Sequence, residues 1–280
     1  MDRIVVGVDG SEDAAEALRW GADEARLHGT RATALLGWTY LLQYHEDPGD
    51  EGFRPGYDEA DARAVLTGYV RTALGDPAGV ELRTTCDLPS QALIDASETA
   101  DLVVVGARGH GGFEGLLLGT VADRVAAHAG CPVAVVRAGQ RARSTGPVLV
   151  GVDGSERSTR ALRWAADEAR ARDVPIHVVH AWRFPVVVRG GWMPSIPSED
   201  EARAAAGELL DGALADPSLA GLAASGHLAR TGPARSLMAR ADEAALVVVG
   251  TRGAGRVSAA LLGSVSRQLL HHAPCPVVVV

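Results

Sequence analysis

The sequence has few aromatic residues and few cysteines. Aromatic residues make up 4% of the 280 residues, and the three cysteines are Cys86, Cys131 and Cys275. An odd and sparse cysteine count argues against a disulfide framework as the basis of the fold. Cys131 and Cys275 each precede a proline at the start of an apolar run. We therefore expect them to be small buried side chains rather than redox groups.

Long hydrophobic runs are absent as well. Hydrophobic residues make up 47% of the chain, but much of that is alanine and valine, and no run approaches the ~18 residues of a membrane span. The N-terminal sequence MDRIVVGVDG has no charged leader, apolar core or cleavage site of a signal peptide. We therefore expect a cytoplasmic protein without a membrane partner. The net charge of −8 disfavours nucleic acid as a partner.

The chain does contain one passage that is written twice. Residues 6–26 and 150–170 agree at 16 of 21 positions, at a constant offset of 144 residues. A period this long is one complete domain, duplicated, and not a solenoid unit. The small, polar and basic residues between the halves are typical of an exposed linker. We predict a first domain over residues 1–138, a linker over residues 139–146 and a second domain over residues 147–280.

Hydrophobic patterning predicts the same alternation of strands and helices in each half. In the first half, apolar β-branched runs such as RIVVGV and DLVVVG are typical of strands buried on both faces. Helical patterns separate them, and residues 39–56 are rich in glycine, proline and aspartate, which predicts a long loop. This alternation predicts an α/β fold in which each half is a doubly wound, five-stranded parallel sheet. Ligands in such sheets bind beyond the carboxyl ends of the strands.

The turn after the first strand is the first candidate site. It reads Val8-Asp9-Gly10-Ser11 and returns as Val152-Asp153-Gly154-Ser155. Glycine permits a tight turn and serine can cap the following helix, so the turn has a purely structural interpretation as well as a ligand-binding one. The carboxylates of Asp9 and Asp153 need partners, and these could be backbone amides, ligand hydroxyl or amine groups, or a metal ion.

A glycine-rich loop after the fourth strand is the second candidate site. Glycines at Gly106, Gly109 and Gly119 recur as Gly250, Gly253 and Gly263, each time with nine residues between the second and third glycine. Such glycines let backbone N–H groups converge on phosphate oxygens. A helix then begins at Thr120 or Ser264, where free amides and the dipole favour an anion. Arg108 and Arg252 are either cations of this site or solvated surface residues.

These motifs resemble those of the universal stress protein family, in its tandem, two-domain form. The resemblance rests on VGVDGS, on G-x2-G-x9-G-[ST] and on CPV before the last strand, and it covers both halves. It implies strand order 3-2-1-4-5 and ATP binding by members that carry this glycine pattern. Carried over by position, it implies that Asp9 and Asp153 lie beside the nucleoside. It implies that Gly37 and Ala181 offer backbone groups to the adenine, and that Gly106 and Gly250 contact the ribose. The phosphate cradle would be formed by Gly109, Gly119, Thr120, Val121, Gly253, Gly263, Ser264 and Val265.

The leading hypothesis is a cytoplasmic ATP-binding stress-response protein with one nucleotide site in each domain. It acts mainly by binding, with at most slow hydrolysis, and magnesium accompanies the triphosphate. An ATP pyrophosphatase or adenylyl-transferring enzyme is one alternative, and a nucleotide-free interaction module is another. Because the last strand of each half is apolar and an unprotected sheet edge is a liability, we also expect the two domains to pair and two chains to form a homodimer. The sequence names no downstream protein partner.

Overall fold

The structure is a computed structural model that describes most of the chain in seven stretches. These are residues 1–39, 57–76, 79–110, 117–140, 145–183, 198–253 and 262–280. Nearly all of the long loop expected over residues 39–56, and half of the linker expected over residues 139–146, lie outside the described residues. Within the described stretches, none of the helices is long and apolar enough to cross a membrane.

The chain divides into two compact units. The first comprises residues 1–140, 259–262 and 276–279, and the second comprises residues 141–258, 263–275 and 280. This division falls close to the boundary between the two repeated halves of the sequence. The four residues 276–279, near the C-terminus of the second half, are grouped with the first unit.

Strands and helices alternate along the first half. The strands are β1 (Ile4–Gly7), β2 (Ala32–Trp38), β3 (Val80–Cys86), β4 (Leu102–Gly106) and β5 (Val133–Val136). The helices between them are α1 (Glu12–Leu27), α2 (Glu59–Leu74), α3 (Pro89–Ser97) and α4 (Thr120–His128).

The second half repeats this order. Its strands are β6 (Val148–Val152), β7 (Ile176–Ala181), β8 (Ala224–Ala229), β9 (Leu246–Val249) and β10 (Val277–Val279). Its helices are α5 (Glu156–Arg172), α6 (Glu199–Leu214), α7 (Pro233–Ala241) and α8 (Ser264–His272), and a short 3-10 helix covers Pro217–Leu219.

The first half forms a parallel sheet with the strand order β3-β2-β1-β4-β5. In the second half the order is β8-β7-β6-β9, again parallel. The backbone of Val280, directly after β10, bonds to Val249 and Thr251 at 2.9 Å each, which continues this order beyond β9. The predicted duplicated, doubly wound α/β fold with order 3-2-1-4-5 is therefore confirmed.

Small side chains explain how the helices pack on these sheets. A Cβ added at Gly21 of α1 would lie only 2.5 Å from Cγ2 of Val6 in β1, so α1 lies directly on the sheet. The strands beneath are aliphatic, and Ile4, Val6, Leu102 and Val103 are fully buried. A core built from valine, alanine and leucine at close range needs few aromatic residues. This packing brings the N-terminus of α1 to the carboxyl end of β1, where β2 and β4 flank that strand.

Candidate functional site

The turn between β1 and α1 is held together by the carboxylate of Asp9. Its Oδ1 accepts hydrogen bonds from Ser11, from the N–H at 3.0 Å and from the hydroxyl at 2.6 Å. Ser11 is the N-cap of α1, and its Oγ also accepts from the N–H of Ala14 at 3.2 Å. Gly10 has φ +84°, and a Cβ there would overlap the ring of Tyr69 on α2. Only glycine fits this turn, because the backbone is left-handed and α2 lies against it.

The same carboxylate joins this turn to the loop that follows β4. Oδ2 of Asp9 accepts from the N–H of His110 at 3.1 Å, and the hydroxyl of Ser11 lies 3.2 Å from the carbonyl of Arg108. A Cβ at Gly109 would overlap Oδ2 of Asp9, so the loop can approach this closely only with glycine. Of the three kinds of partner considered for Asp9, the described residues supply backbone amides, with the hydroxyl of Ser11 in addition.

The start of α4 forms the third side of the site. Gly119 is its N-cap and donates its N–H to the carbonyl of Ala107 at 2.7 Å, which closes the glycine-rich loop. Thr120 and Val121 follow in the first turn, and the helix has no side-chain cap. Amides in a first helical turn lack acceptors within the helix and lie at its positive end. The amides that can meet an anion are therefore those of the residues after Gly119, rather than that of Gly119 itself.

The glycine at the end of β4 sets the distance between the two turns. A Cβ at Gly106 would lie 2.7 Å from the backbone nitrogen of Ala14 in the first turn of α1. The loop after β4 and the first turn of α1 therefore lie in van der Waals contact. This close packing is what allows Asp9 to reach the backbone of His110.

A buried carboxylate that sequence reasoning missed lies behind this arrangement. Asp13 is only 3% exposed, and its Oδ2 accepts from the N–H of Arg108 at 2.9 Å and from its Nε at 3.2 Å. Its Oδ1 accepts from the N–H of Ala138 at 2.8 Å. Burial lowers the pKa of the nearby Arg137, Asp13 opposes this effect and Arg108 adds to it. Arg108 is thus anchored at the loop with its side chain half exposed, rather than being freely solvated.

One signal in the sequence could have indicated Asp13. It is among the five positions at which the 21-residue repeat differs, and the second half has Arg157 there. The two halves are therefore built differently beside an otherwise shared turn. A Cβ added at Gly250 would lie 3.2 Å from the Cβ of Arg157.

The second half repeats the aspartate-anchored turn. Oδ1 of Asp153 accepts from the N–H of Ser155 at 3.0 Å and from its hydroxyl at 2.6 Å. Gly154 has φ +80°, and a Cβ there would lie 2.9 Å from Cδ1 of Leu209. A Cβ at Gly253 would overlap Oδ2 of Asp153, as at the matching pair in the first half. The same contacts thus occur twice, on side chains 144 residues apart.

The start of α8 matches the start of α4. Gly263 is the N-cap and donates its N–H to the carbonyl of Thr251 at 2.8 Å. A Cβ on Gly263 would lie 3.2 Å from Cα of Arg252, so the backbone of Arg252 lies next to the hydrogen bond that closes the loop. Ser264 and Val265 follow in a first turn without a side-chain cap. Both halves therefore present an uncapped helix start beside an aspartate-anchored glycine turn.

The two residues expected to meet the adenine are on β2 and β7, the strands beside β1 and β6. Gly37 is near the end of β2, and Ala181 is the last residue of β7. Within the described stretches, no hydrogen bond links either residue to the glycine-rich loops. A Cβ at Gly37 would lie 2.7 Å from Cα of Pro89, so the start of α3 fills the space that a side chain would occupy.

A cavity of about 470 Å³ opens beside the second helix start. Two residues expected in the phosphate cradle, Ser264 and Val265, line it. The remaining lining residues were not indicated by the motifs, and all belong to the second unit: Arg183, Arg230, Thr231, Gly232, Pro233, Ala234, Arg235 and Gln268. Three of these are arginines, so the cavity is strongly cationic.

Comparison with known proteins agrees with this architecture. The sequence pattern of the universal stress protein family matches residues 1–137 and 145–280. A universal stress protein of Mycolicibacterium smegmatis is 34% identical over 294 residues, which is 99% of this chain and 96% of that protein. One from Mycobacterium tuberculosis is 32% identical over 291 residues, which is 99% of this chain and 96% of that protein.

A solved structure shows the same fold at lower sequence identity. The crystal structure of a universal stress protein from Archaeoglobus fulgidus superposes with a TM-score of 0.68 at 21% identity, and covers 99% of this chain and 97% of that one. Two matches to one family pattern, together with relatives that match along nearly the full length, establish the relationship. The chain belongs to the universal stress protein family, as a tandem of two such domains.

Proposed function

We propose that the protein is an ATP-binding regulator of the stress response, with one nucleotide site in each domain. The observation that carries this proposal is the repeated pairing of an aspartate-anchored glycine turn with an uncapped helix start. This pairing brings rigid backbone and free amides to one edge of the sheet, at the point where the winding direction reverses.

The geometry supports a phosphate ligand at both helix starts. The first-turn amides of α4 and α8, and the exposed hydroxyls of Thr120 and Ser264, are donors at a positive helix end. Gly109 and Gly253 let the loops approach Asp9 and Asp153 more closely than a residue with a Cβ could. Asp9 and Asp153 act through the backbone by holding the loops in place. The nucleoside then extends toward the ends of β2 and β7, where Gly37 and Ala181 offer backbone groups.

The hydrogen bonds of the carboxylates in the first site favour nucleotide binding over nucleotide hydrolysis. Asp9 and Asp13 both accept hydrogen bonds from the chain through each of their oxygens. A general base that activates water must be able to reach it and take its proton, and these groups are committed to structure. Magnesium, when it accompanies the triphosphate, would be held mainly by phosphate oxygens and water. The hydroxyl oxygen of Thr120 or Ser264 would be the ligand that the chain contributes.

Occupancy could act as a signal without catalysis. A micromolar site at millimolar ATP gains about 4 kcal/mol of stability, which is enough to shift a loop or an interface. We propose that this happens in the cytoplasm, with the two domains paired along their last strands and two chains forming a homodimer. The downstream partner would then recognise the nucleotide-bound state.

Thermal unfolding with different nucleotides tests the proposal. ATP at 1 mM should raise the Tm of the protein by several degrees, AMP should raise it less, and adenosine least, because the cradle contacts phosphate. The absence of any stabilisation by ATP would contradict ATP binding. Stabilisation by adenosine equal to that by ATP would contradict the assignment of the glycine loops as the phosphate site.

A further inference from the structure

The cavity beside α8 carries more positive charge than the matching positions of the first half. At the constant offset of 144 residues, its arginines Arg183, Arg230 and Arg235 correspond to Thr39, Cys86 and Gln91. The remaining difference runs the other way, since Gln268 of the cavity corresponds to Arg124, which donates to Gln91 at 3.4 Å. The second-half cavity therefore has three guanidinium groups where the matching positions of the first half have one. The chain contains no lysine, so all 27 of its basic residues are arginines, and three of them are gathered here.

Only one of these arginines forms an ion pair with another described residue. Arg230 pairs with Glu199 at 2.6 Å, and its guanidinium carbon lies 5.9 Å from the ring centre of Trp182. Within the described stretches, Arg183 and Arg235 form no ion pair or hydrogen bond. Both are exposed to the cavity side, and two guanidinium groups are thus available to a ligand.

Their position next to helix α7 makes an anionic occupant favourable. A Cβ on Gly232, the N-cap of α7, would overlap the guanidinium of Arg183, so this cation lies against the start of the helix. Arg235 is in the first turn, where there is no acidic residue and no side-chain cap. A helix start is itself positive and normally attracts acidic groups. Cations gathered there without an acid in that turn repel one another until an anion lies between them.

Arginine is suited to a ligand with several phosphoryl groups. Its planar fork donates two parallel hydrogen bonds to one phosphate. The start of α8 contributes to the same cavity through Ser264 and Val265, so two helix starts and two uncommitted arginines face one volume of about 470 Å³. That volume is far larger than a single phosphate group needs, which points to an extended anion.

We propose that the second-half cavity is a polyphosphate subsite, which selects ligands with three or more linked phosphoryl groups. The first-half site has only Arg124 at the matching positions and discriminates less between monophosphates and triphosphates. The inference deepens the proposed function, on which it rests for the identity of the ligand as a nucleotide. The recognition of the phosphoryl chain rests on the arginines and the two helix starts, and does not depend on the nucleoside.

Inorganic triphosphate is a probe that tests this subsite without the nucleoside. Calorimetric titration into the 280-residue chain should show a tighter site at the cavity than at the start of α4, with affinity that falls as salt is added. The double variant R183A/R235A should lower this affinity about tenfold or more, since each lost charge-assisted bond is among the stronger kinds. Arg230 is left in place because its pairing with Glu199 also supports the fold.

Two control variants separate a local effect from a general one. R160A/R203A removes the same two charges from positions that do not line the cavity, and C86A/Q91A alters the matching positions of the first half. Both should bind inorganic triphosphate as the unaltered protein does. Circular dichroism and the Tm of each variant in the absence of ligand show that it is folded.

The outcomes distinguish this inference from the proposed function. If inorganic triphosphate does not bind, or binds R183A/R235A as tightly as either control, the subsite is wrong, whether or not ATP binds. If ATP fails to bind while inorganic triphosphate binds through Arg183 and Arg235, the nucleotide proposal fails and the subsite remains. Loss of binding in R160A/R203A equal to that in R183A/R235A would show general electrostatic attraction and overturn the subsite.

Discussion

At the residue scale, burial decides which side chains are chemically available. Cys86 is exposed, Cys131 is half-buried and Cys275 is buried, and none of the three is in a disulfide. Burial raises the pKa of Cys131 to about 11 and that of Cys275 to about 12. The thiolate is the reactive form, so at pH 8 only about one molecule in a thousand carries it at Cys131, and fewer at Cys275.

We therefore predict that one thiol per chain reacts rapidly with Ellman's reagent at pH 8. The fast phase should disappear in C86S, and the other two thiols should react only after denaturation. Raising the pH toward 10 should accelerate Cys131 before Cys275, in the order of their pKa values. A fast phase of two thiols, or one that survives in C86S, would show that Cys131 or Cys275 is more accessible than its burial indicates.

Single residues also mark the limit of what the sequence could predict. Asp9 and Gly109 stand in repeated motifs, and the structure brings them into contact. The link from Asp13 to Arg108 spans 95 residues, and no periodicity or spacing connects two such positions. The cavity arginines were missed for a similar reason. Arg183 follows β7, whereas Arg230 follows β8 and Arg235 lies in the first turn of α7, and the first half has other residue types at all three positions.

At the element scale, the glycines of the turns have two separable roles. Gly10 and Gly29 both have positive φ, +84° and +66°. A Cβ at Gly10 would overlap Tyr69, whereas a Cβ at Gly29 would meet nothing within 4 Å. Glycine is required at Gly10 by the backbone conformation and by packing, and at Gly29 by the backbone conformation alone.

We predict that Gly10→Ala destabilises the protein more than Gly29→Ala. The left-handed backbone alone costs about 1–2 kcal/mol for a residue with a Cβ, and this is the loss expected for Gly29→Ala. Gly10→Ala must also displace the ring of Tyr69, so its loss in the free energy of unfolding should be clearly larger. Urea denaturation of both variants measures the difference. Equal losses would show that Tyr69 moves aside without cost and that α2 does not hold the turn.

Most of the elements of the first half were predictable because their local signals agree with the fold. The buried runs predict strands, and Ser11 and Gly29 mark the ends of α1. The helix that follows the long loop begins at Glu59, because Asp58 caps it and forms a reciprocal capping box with Asp61. Hydrophobic patterning alone cannot place such a boundary, since the capping residue is polar and lies outside the periodic pattern.

At the scale of the whole molecule, the chain is a duplication whose two halves have diverged at the site. The turn geometry is shared, through Asp9 and Gly109 in one half and Asp153 and Gly253 in the other. The charges around it differ, with Asp13 in the first half matched by Arg157 in the second. The duplication and the strand order could be predicted from the repeat. The consequence of the difference in charge could not be predicted, because the residues concerned are distant in sequence and line one cavity only in the folded chain.

Native mass spectrometry with added ATP tests the central claim most directly, because it counts nucleotides on each chain. The protein should bind two ATP molecules, while Gly119→Val and Gly263→Val should each bind one, and the double variant none. Valine can adopt the backbone conformation of these N-caps (φ −76° and −63°). Its Cβ would lie only 3.3 Å from the carbonyl of Ala107 or 3.2 Å from Cα of Arg252, so it would displace the loop beside each helix start. Two ATP molecules on the folded double variant would contradict the account.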